Sequence, residues 1–369
     1  MTFAQTLLWP LSVVYEAVAI ARVWFYRSGL LKQQRLSGIV ISVGNLTVGG
    51  TGKTPMVLWL AEALLGESKR VAILTRGYRG FLQSGAAKSP VVPGASSKGR
   101  APRAKGTIRA DSFGQADEAT LLSRRLIAGA WPSENVAIAE GADRYRGGSV
   151  LTKQGFAWFI LDDGFQHLRL ARDLDVVLVD ATNPFGGGHL LPAGRLREPR
   201  SALRRADIIV ITRSRHAPAV EAIVGRHSSA PIFYATLKLE SLVPVGGTSG
   251  EIVRGDAMKK KFFAFCGIGN PSAFFDNLRE WGIEIAGHAS FPDHHVYLPE
   301  ELSRLEAGAR AAGADALLCT EKDLCNLPNA NLQAFPAWYC RVSLDVHDGS
   351  GFWQVAREHL RRRHPEIAL

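Results

Sequence analysis

Cysteine is scarce in this sequence. The chain of 369 residues has four cysteines, and no two of them form a C-x-x-C pair. A fold built on disulfides needs a higher density of cysteine at this length. The sequence therefore disfavours a disulfide scaffold and favours a reducing compartment that faces the cytosol.

An uninterrupted apolar run is also missing near the N-terminus. Glu16 and Arg22 interrupt the most apolar segment, residues 7–31, which disfavours a clean spanning helix. No small-residue cleavage site follows an apolar core, which disfavours a signal peptide. Aromatic residues of the type found at lipid headgroup depth and basic residues suited to anionic lipid lie in or beside it: Trp9, Trp24, Phe25, Tyr26, Arg22, Arg27 and Lys32. We predict a membrane-associated helix over residues 1–35; the alternative is a helix packed on the protein's own core.

Acidic residues are outnumbered by basic ones, 34 to 44, so the formal net charge is +10. A basic surface favours anionic partners such as nucleic acid, phosphorylated ligands or an acidic membrane face. Hydrophobic residues make up 46% of the chain and charged residues 21%, which is enough apolar surface for a sizeable core. The length fits two domains of ordinary size.

Short apolar runs without alternation indicate strands buried on both faces, as in a parallel sheet covered by helices. These runs are Ile39–Val43, Val71–Thr75, Trp158–Leu161, Val176–Val179 and Ile208–Ile211. The pattern restarts after about residue 230, with further strands and helices and no internal repeat. We predict an α/β fold with a P-loop NTPase-like domain at 36–215 and a second α/β domain at 216–369. The stretch 85–106, rich in Gly, Ala, Ser, Pro and Lys, is predicted to be a mobile surface loop.

A Gly-rich loop after the first strand carries the sharpest local signal. It reads Gly49, Gly50, Thr51, Gly52, Lys53 and Thr54, and it opens a helix. Backbone N–H groups in such a loop cradle phosphate oxygens at the positive end of the helix dipole. Lys53 would reach the β- and γ-phosphates of ATP, and the Thr54 hydroxyl would bind Mg²⁺. Thr47 stands where the general motif has glycine, and the alternative is a Gly-rich turn that binds nothing.

Two carboxylates, Asp162 and Asp163, end a strand candidate, where an enzyme with this loop needs an acidic group for Mg²⁺. The alternative is an ordinary strand-ending turn. Asp117 and Glu118 precede an apolar pair in a predicted helix. The residues alone favour ordinary capping of the helix N-terminus as their role. Asp293, His294 and His295 invite a metal site, but adjacent residues rarely bind one ion together.

Seven blocks of the sequence, in order, resemble the tetraacyldisaccharide 4′-kinase (lipid A 4′-kinase) family. The blocks are Val43–Pro55, Arg76–Tyr78, Leu161–His167, Leu190–Gly194 with Leu196–Pro199, Cys266–Pro271, Phe291–His295 and Thr320–Asp323. The resemblance spans roughly residues 10–345, and it accounts for Thr47 because the family's loop starts in this way. The chain departs from the family at Ala116 and Ala119, which flank Asp117 and Glu118 where Gly and Pro are usual.

The resemblance implies two α/β/α domains, the first with the P-loop. It implies that ATP phosphorylates the 4′-hydroxyl of a tetraacylated glucosamine disaccharide 1-phosphate, giving lipid IVA, at the cytoplasmic face of the bacterial inner membrane. The basic surface would then serve anionic inner-membrane lipid and the substrate's 1-phosphate, and no nucleic acid is expected as a partner.

The resemblance also implies roles for individual residues. Asp117 resembles the family's catalytic base and His294 its partner, which would require the two predicted domains to close over the substrate. An acidic Mg²⁺ cluster would consist of Asp162, Asp163 and Glu198 with Thr54. Arg144 and Arg197 resemble the basic residues of the nucleotide site.

Two other functions stay open from the residues alone. A membrane-associated NTPase switch would hydrolyse nucleotide without a lipid acceptor, although the guanine-reading Asn-Lys-x-Asp motif is missing and Glu321–Asp323 has the wrong spacing. A kinase for a soluble sugar or nucleoside would leave the N-terminal segment unexplained.

Overall fold

The computed structural model describes residues 3–76, 117–127, 131–246, 259–327 and 335–365. The predicted loop at 85–106 lies outside the described residues. The chain forms two compact units, the first consisting of Met1–Thr236 with Val346–Leu369 and the second of Leu237–Asp345. Each unit has its own hydrophobic core.

The first unit alternates strands and helices, as the short apolar runs predict. Its strands are β1 (Ile39–Asn45), β2 (Val71–Thr75), β3 (Val136–Glu140), β4 (Trp158–Asp162), β5 (Leu174–Asp180), β6 (Ile208–Thr212) and the first part of β7 (Ile232–Pro244). Its helices are α1 (Phe3–Arg27), α2 (Lys53–Gly66), α3 (Asp117–Leu126), α4 (Arg144–Lys153), α5 (Pro218–Gly225) and the final α8 (Gly349–Arg363). A short 3₁₀ helix covers Arg200–Arg205.

The strands of the first unit are parallel and lie in the order β3-β2-β4-β1-β5-β6-β7. All residues of β1, β2, β4, β5 and β6 are buried, which explains why their sequences are continuous apolar runs. The chain passes from β1 to β2 and β4 on one side and later to β5 on the other. Loops after β1, β4, β5 and β6 therefore gather at the carboxyl edge around this reversal of order, where open α/β sheets bind their ligands.

The second unit contains the second part of β7, then β8 (Lys261–Cys266), α6 (Pro271–Glu280), β9 (Glu284–Ser290), α7 (Pro299–Ala311), β10 (Ala316–Thr320) and β11 (Ala337–Val346). A 3₁₀ turn at Asp323–Cys325 follows β10. Its strand order is β7-β11-β10-β8-β9, with β11, β10, β8 and β9 parallel. Both units thus have the α/β architecture with a parallel sheet that the sequence predicts.

The division into units differs from the boundary predicted at residues 215 and 216. Residues Ile232–Ala235 of β7 still pair with β6 and extend the first sheet. Helix α8 also belongs to the first unit, where Trp353 stacks on Trp59 of α2 with ring centroids 5.7 Å apart. Arg357 of α8 forms an ion pair with Glu67. The return of the last helix to the first unit is a long-range contact that a local sequence pattern does not reveal.

Helix α1 contacts the first unit along one narrow stripe. Ser12 Oγ donates to the Leu190 carbonyl at 3.1 Å and accepts from the Ala193 N–H at 3.0 Å. The Tyr15 hydroxyl donates to the Arg197 carbonyl at 3.1 Å. Much of the remaining helix surface is exposed, although many of its side chains are large and apolar. Its exposed large hydrophobic residues are Leu7, Trp9, Leu11, Val13, Val14, Val18, Ile20, Trp24 and Phe25.

The α1 segment Thr6–Arg27 is long and apolar enough to cross a membrane by length and composition. Only 6% of its apolar window is buried, which distinguishes it from the core helix of a soluble protein. A signal sequence near an N-terminus passes the same test of length and composition.

Candidate active site

The Gly-rich loop predicted to hold phosphate joins the end of β1 to the start of α2. Gly49 has φ +116° and Gly52 has φ +89°, both in the region that favours glycine, and Gly52 is the N-cap of α2. The loop therefore ends at the positive end of a 14-residue helix. This combination of a glycine turn and a helix N-terminus is typical of an anion site that takes phosphate.

Two side chains outside the loop fix its backbone. Thr212 Oγ1, at the end of β6, donates to the Thr51 carbonyl at 3.0 Å. Arg213 Nη2 donates to the Gly50 carbonyl at 2.9 Å and also forms an ion pair with Asp180 at the end of β5. Because these side chains occupy carbonyl oxygens of the loop, they stabilise one loop conformation. Sequence reasoning did not identify Thr212 and Arg213, since no local motif marks them.

Lys53 lies between an amide and a carboxylate. Its Nζ is 3.3 Å from Asn45 Oδ1 and 3.5 Å from Asp163 Oδ1. The orientation of the Asn45 amide is fixed because its Nδ2 donates to Thr51 Oγ1 at 2.9 Å. The ammonium group is thus held beside the phosphate loop, and its side chain is 13% exposed.

Asp163 follows β4 and forms ion pairs with two cationic side chains. Arg197 Nη1 lies 2.8 Å and 2.7 Å from the two Asp163 carboxylate oxygens, in addition to the contact with Lys53. Burial acts to raise the pKa of Asp163, but Lys53 and Arg197 outweigh it and hold that pKa below its ordinary value. The carboxylate is therefore ionised near neutral pH and serves as the counter-charge of both cations.

Asp162, the last residue of β4, has a different environment. It is 2% exposed, and it accepts a hydrogen bond from Thr75 Oγ1 at 3.3 Å. Burial, with the nearby carboxylates of Glu118 and Asp163, raises the pKa of Asp162 to about 7, and Lys53 opposes this only in part. A buried carboxylate with this surplus of negative charge fits a site for a divalent cation.

Glu198 is held by an arginine. Arg205 Nη1 lies 2.5 Å from Glu198 Oε2, and Arg205 Nη2 lies 3.0 Å from Oε1. Both carboxylate oxygens are engaged, both side chains are largely buried, and the guanidinium also packs on Phe165. Glu198 thus forms a bidentate ion pair with Arg205, and its predicted place in the acidic Mg²⁺ cluster stays a prediction.

Arg144, at the start of α4, is 6% exposed. Burial and the charge of Arg76 lower the pKa of Arg144, while Asp162 and Asp163 act in the opposite direction. Arg144 therefore interacts electrostatically with the same two carboxylates that follow the phosphate loop. Asp117 begins α3 in the same unit, but its side chain lies outside the described residues.

The second unit places Asp293, His294 and His295 in the segment between β9 and α7. His294 Nε2 is 3.3 Å from Lys322 Nζ, and His295 Nε2 is 2.8 Å from Glu301 Oε2. In the described parts of the chain, no three His, Cys, Asp or Glu side chains group as metal ligands. The Nε2 atoms of His294 and His295 face different partners, so the metal alternative for this histidine pair has no geometric support.

The first unit thus brings together Lys53, Thr54, Asp162, Asp163 and Arg197 around the phosphate loop, and His294 lies in the second unit. Sequence reasoning missed the supporting roles of Asn45, Gln166 and Arg205. Gln166 donates to the Asn45 carbonyl at 2.9 Å, and its Oε1 is 3.4 Å from Arg197 Nη1. Asn45 and Gln166 lie inside two of the motif blocks, and their amide side chains were the sequence feature that pointed to a supporting role.

Comparisons with known proteins agree over most of the chain. The model of the tetraacyldisaccharide-1-P 4′-kinase family matches residues 4–361. A tetraacyldisaccharide 4′-kinase of Geobacter metallireducens is 42% identical over 325 residues, covering 87% of this chain and 88% of the relative. One from Pelobacter propionicus is 39% identical over 323 residues, covering 86% and 82%.

A solved structure is similar as well. The crystal structure of an "apo" form of LpxK from Aquifex aeolicus in complex with ATP superposes with a TM-score of 0.69 at 29% identity. It covers 96% of this chain and 99% of that one.

The raised pKa of Asp162 predicts a pH-dependent stability. Between pH 4 and pH 7 the folded state keeps a proton on Asp162 that the unfolded chain has released. The contribution of Asp162 to the free energy of unfolding therefore falls as the pH rises. Without metal or nucleotide, Asp162→Asn should therefore gain stability over the wild type progressively across this range, reaching about 3 kcal/mol. Urea unfolding at each pH measures the difference.

Asp163→Asn is the comparison variant for this measurement. The pKa of Asp163 lies below its ordinary value, so its own contribution to stability is fully present above pH 4 and falls only at lower pH. Because the Asp163 charge is one of the causes that raise the pKa of Asp162, this variant should show a trend in the same direction between pH 4 and pH 7, with a smaller amplitude than that of Asp162→Asn. A stability difference for Asp162→Asn that is independent of pH would contradict the raised pKa.

Proposed function

Because the chain belongs to the tetraacyldisaccharide-1-P 4′-kinase family, we propose that its phosphate loop and Lys53 perform the phosphoryl transfer of that family. The chain is an ATP-dependent kinase of lipid A biosynthesis. It phosphorylates the 4′-hydroxyl of a tetraacylated glucosamine disaccharide 1-phosphate and gives lipid IVA. One observation carries the assignment to these residues: Lys53 Nζ is held at the loop by Asn45 and Asp163, at 3.3 Å and 3.5 Å.

The phosphate loop holds the ATP phosphates through residues 49–54. Its backbone N–H groups and the N-terminus of α2 supply positive potential, and Lys53 adds a full charge to the β- and γ-phosphates. Arg197 lies beside Lys53 on the shared carboxylate of Asp163. Charge that develops on the transferring group is therefore met by two cations in fixed positions. Arg144, which interacts with the same carboxylates, adds to this potential.

The side chains around the loop also fit Mg²⁺. The Thr54 hydroxyl and the buried Asp162 carboxylate are oxygen donors of the kind that Mg²⁺ prefers, and Lys53 offsets only part of the negative charge around Asp162. When bound, the ion neutralises charge on the phosphates. We assign Asp162 rather than Asp163 as its carboxylate ligand, because the oxygens of Asp163 contact Arg197 and Lys53. Glu198 instead orients Arg205, which lies beside the turn at residues 162–165.

The acceptor hydroxyl needs a base. The sugar oxygen forms a bond to the γ-phosphorus as the bond to the departing ADP oxygen breaks, and its proton passes to Asp117. We propose that His294 cooperates with Asp117 in this step. The transfer is direct and in line, and it uses no covalent intermediate with the enzyme.

Helix α1 is proposed to hold the enzyme at the cytoplasmic face of the bacterial inner membrane. The exposed apolar side chains of α1 support this, because monomeric soluble proteins rarely leave such a band uncovered. The net charge of +10 favours anionic lipid there. The lipid disaccharide can then reach the active site while its acyl chains stay partly in the bilayer. The anionic partners of the basic surface are lipid and substrate, and nucleic acid is not among them.

Replacing Lys53 by Ala should lower kcat by at least about 100-fold, because a charge aimed at the transferring phosphoryl group contributes several kcal/mol. The assay uses purified protein, labelled ATP and the tetraacyl disaccharide 1-phosphate, with labelled lipid product as the readout. Lys153→Ala, an exposed lysine at the end of α4, is the control and should be unchanged. Near-normal kcat in Lys53→Ala would refute the assignment.

Replacing Leu7, Val14 and Val18 together by Ser should weaken sedimentation with anionic vesicles at least about tenfold, because burying each aliphatic side chain is worth ~1.5 kcal/mol or more. These side chains are 71%, 62% and 61% exposed, so folding should not depend on them. Ser12→Ala, on the buried stripe of α1, is the control and should keep vesicle binding. Equal sedimentation of the triple variant and the wild type would place the anchor elsewhere.

A further inference from the structure

The segment that carries His294 is fixed by a buried carboxylate after β10. Asp323 is 1% exposed and accepts four hydrogen bonds. Its donors are the Gly267 N–H at 2.7 Å, the Tyr297 hydroxyl at 2.8 Å, Thr320 Oγ1 at 2.5 Å and the Thr320 N–H at 3.2 Å. Asp323 thereby joins the end of β8, the end of β10 and the segment 291–297 into one rigid cluster.

His294 itself has a constrained backbone. Its φ is +61°, in the left-handed region that non-glycine residues adopt at a cost of roughly 1–3 kcal/mol. Its N–H donates to the Gly267 carbonyl at 3.2 Å. The next residue, His295, stacks on Phe291 and contacts Glu301. These contacts on both sides hold the unfavourable backbone conformation and so define the direction of the His294 side chain.

One side-chain partner of His294 is Lys322, the residue before Asp323. Lys322 Nζ is 3.3 Å from His294 Nε2 and 3.1 Å from Asp293 Oδ1. An ammonium group can only donate hydrogen bonds, so Nε2 must be the acceptor and carries no proton. The ring proton is then on Nδ1, and the imidazole is neutral. Asp293 Oδ2, at 3.8 Å from the same Nε2, is too distant for a competing hydrogen bond.

We propose that Lys322 is a positioning residue for the phosphoryl transfer, which holds His294 as the neutral tautomer protonated on Nδ1. The inference rests on the proposed role of His294 as the partner of Asp117. In this state His294 offers a hydrogen-bond donor at Nδ1 and is not a second base. Asp117 then remains the group that takes the proton of the sugar hydroxyl, and the charge of Lys322 is balanced by Asp293.

The ammonium also makes the alternative tautomer unfavourable. A proton on Nε2 would point at Lys322, so two donors would face each other. Without Lys322, the Asp293 carboxylate at 3.8 Å from Nε2 would favour a proton on that nitrogen. Lys322→Met keeps the length of the side chain and removes the charge and the donor. Lys322→Arg keeps both, because guanidinium also only donates.

Nitrogen-15 spectra of histidine-labelled full-length protein read the tautomer directly, with His294→Gln assigning the His294 signals. In the wild type, Nε2 of His294 should be unprotonated. In Lys322→Met it should become protonated, and kcat should fall at least about tenfold with little change in ATP affinity. Lys322→Arg should restore the wild-type tautomer and most of the activity. Lys261→Met, which removes an exposed lysine paired with Glu284 in the same unit, is the control and should change neither.

Each outcome bears on the proposal. A loss of kcat in Lys322→Met with an unchanged His294 tautomer would overturn it, as would full activity with a changed tautomer. Nε2 protonated in the wild type would overturn it without any activity measurement. If His294→Gln kept full kcat while Lys322→Met still changed the tautomer, the proposed role of His294 would fail, although its contact with Lys322 would stand.

Discussion

The arrangement of the first unit depends on the ion pairs of one carboxylate, Asp163. Lys53 and Arg197 carry like charges that would repel each other if both stood unscreened beside the phosphate loop. Asp163 lies between them, in contact with Lys53 at 3.5 Å and with Arg197 at 2.7 Å. The neighbouring Asp162 is more deeply buried, and burial with the charges of Glu118 and Asp163 raises its pKa to about 7 although Lys53 opposes the rise. Two adjacent carboxylates at the end of one strand therefore have different tasks because their neighbours differ.

The second unit uses a buried carboxylate for a different purpose. Asp323 contacts no cation in the described residues and accepts four hydrogen bonds from uncharged groups. Burial raises the pKa of Asp323, and the hydrogen bonds from Thr320, Gly267 and Tyr297 oppose that rise. The result is a rigid frame for the segment with His294, whose backbone is strained and whose ring faces Lys322. Preorganisation of this kind fixes a side chain before the substrate arrives, so that binding need not reorganise it.

Much of this could be predicted from the sequence because the relevant signals are local. Continuous apolar runs gave the buried parallel strands, and the glycines before Lys53 gave the loop at the start of α2. The pairing of Glu198 with Arg205 could not be predicted, since Arg205 ends a short 3₁₀ helix that no sequence motif marks. The return of α8 to the first unit and the contacts of Thr212 and Arg213 with the loop could not be predicted for the same reason. All are contacts between residues far apart in the sequence, or between side chains whose type alone suggests another role.

The proposed cooperation of Asp117 and His294 in the phosphoryl transfer can be tested by a double-mutant cycle on kcat. Asp117→Ala and His294→Ala should each lower kcat about 100-fold or more, with little change in ATP affinity. Residues that act as a unit have non-additive effects, so the double variant should be scarcely slower than the slower single one. Losses that multiply in the double variant would show independent roles and contradict the account.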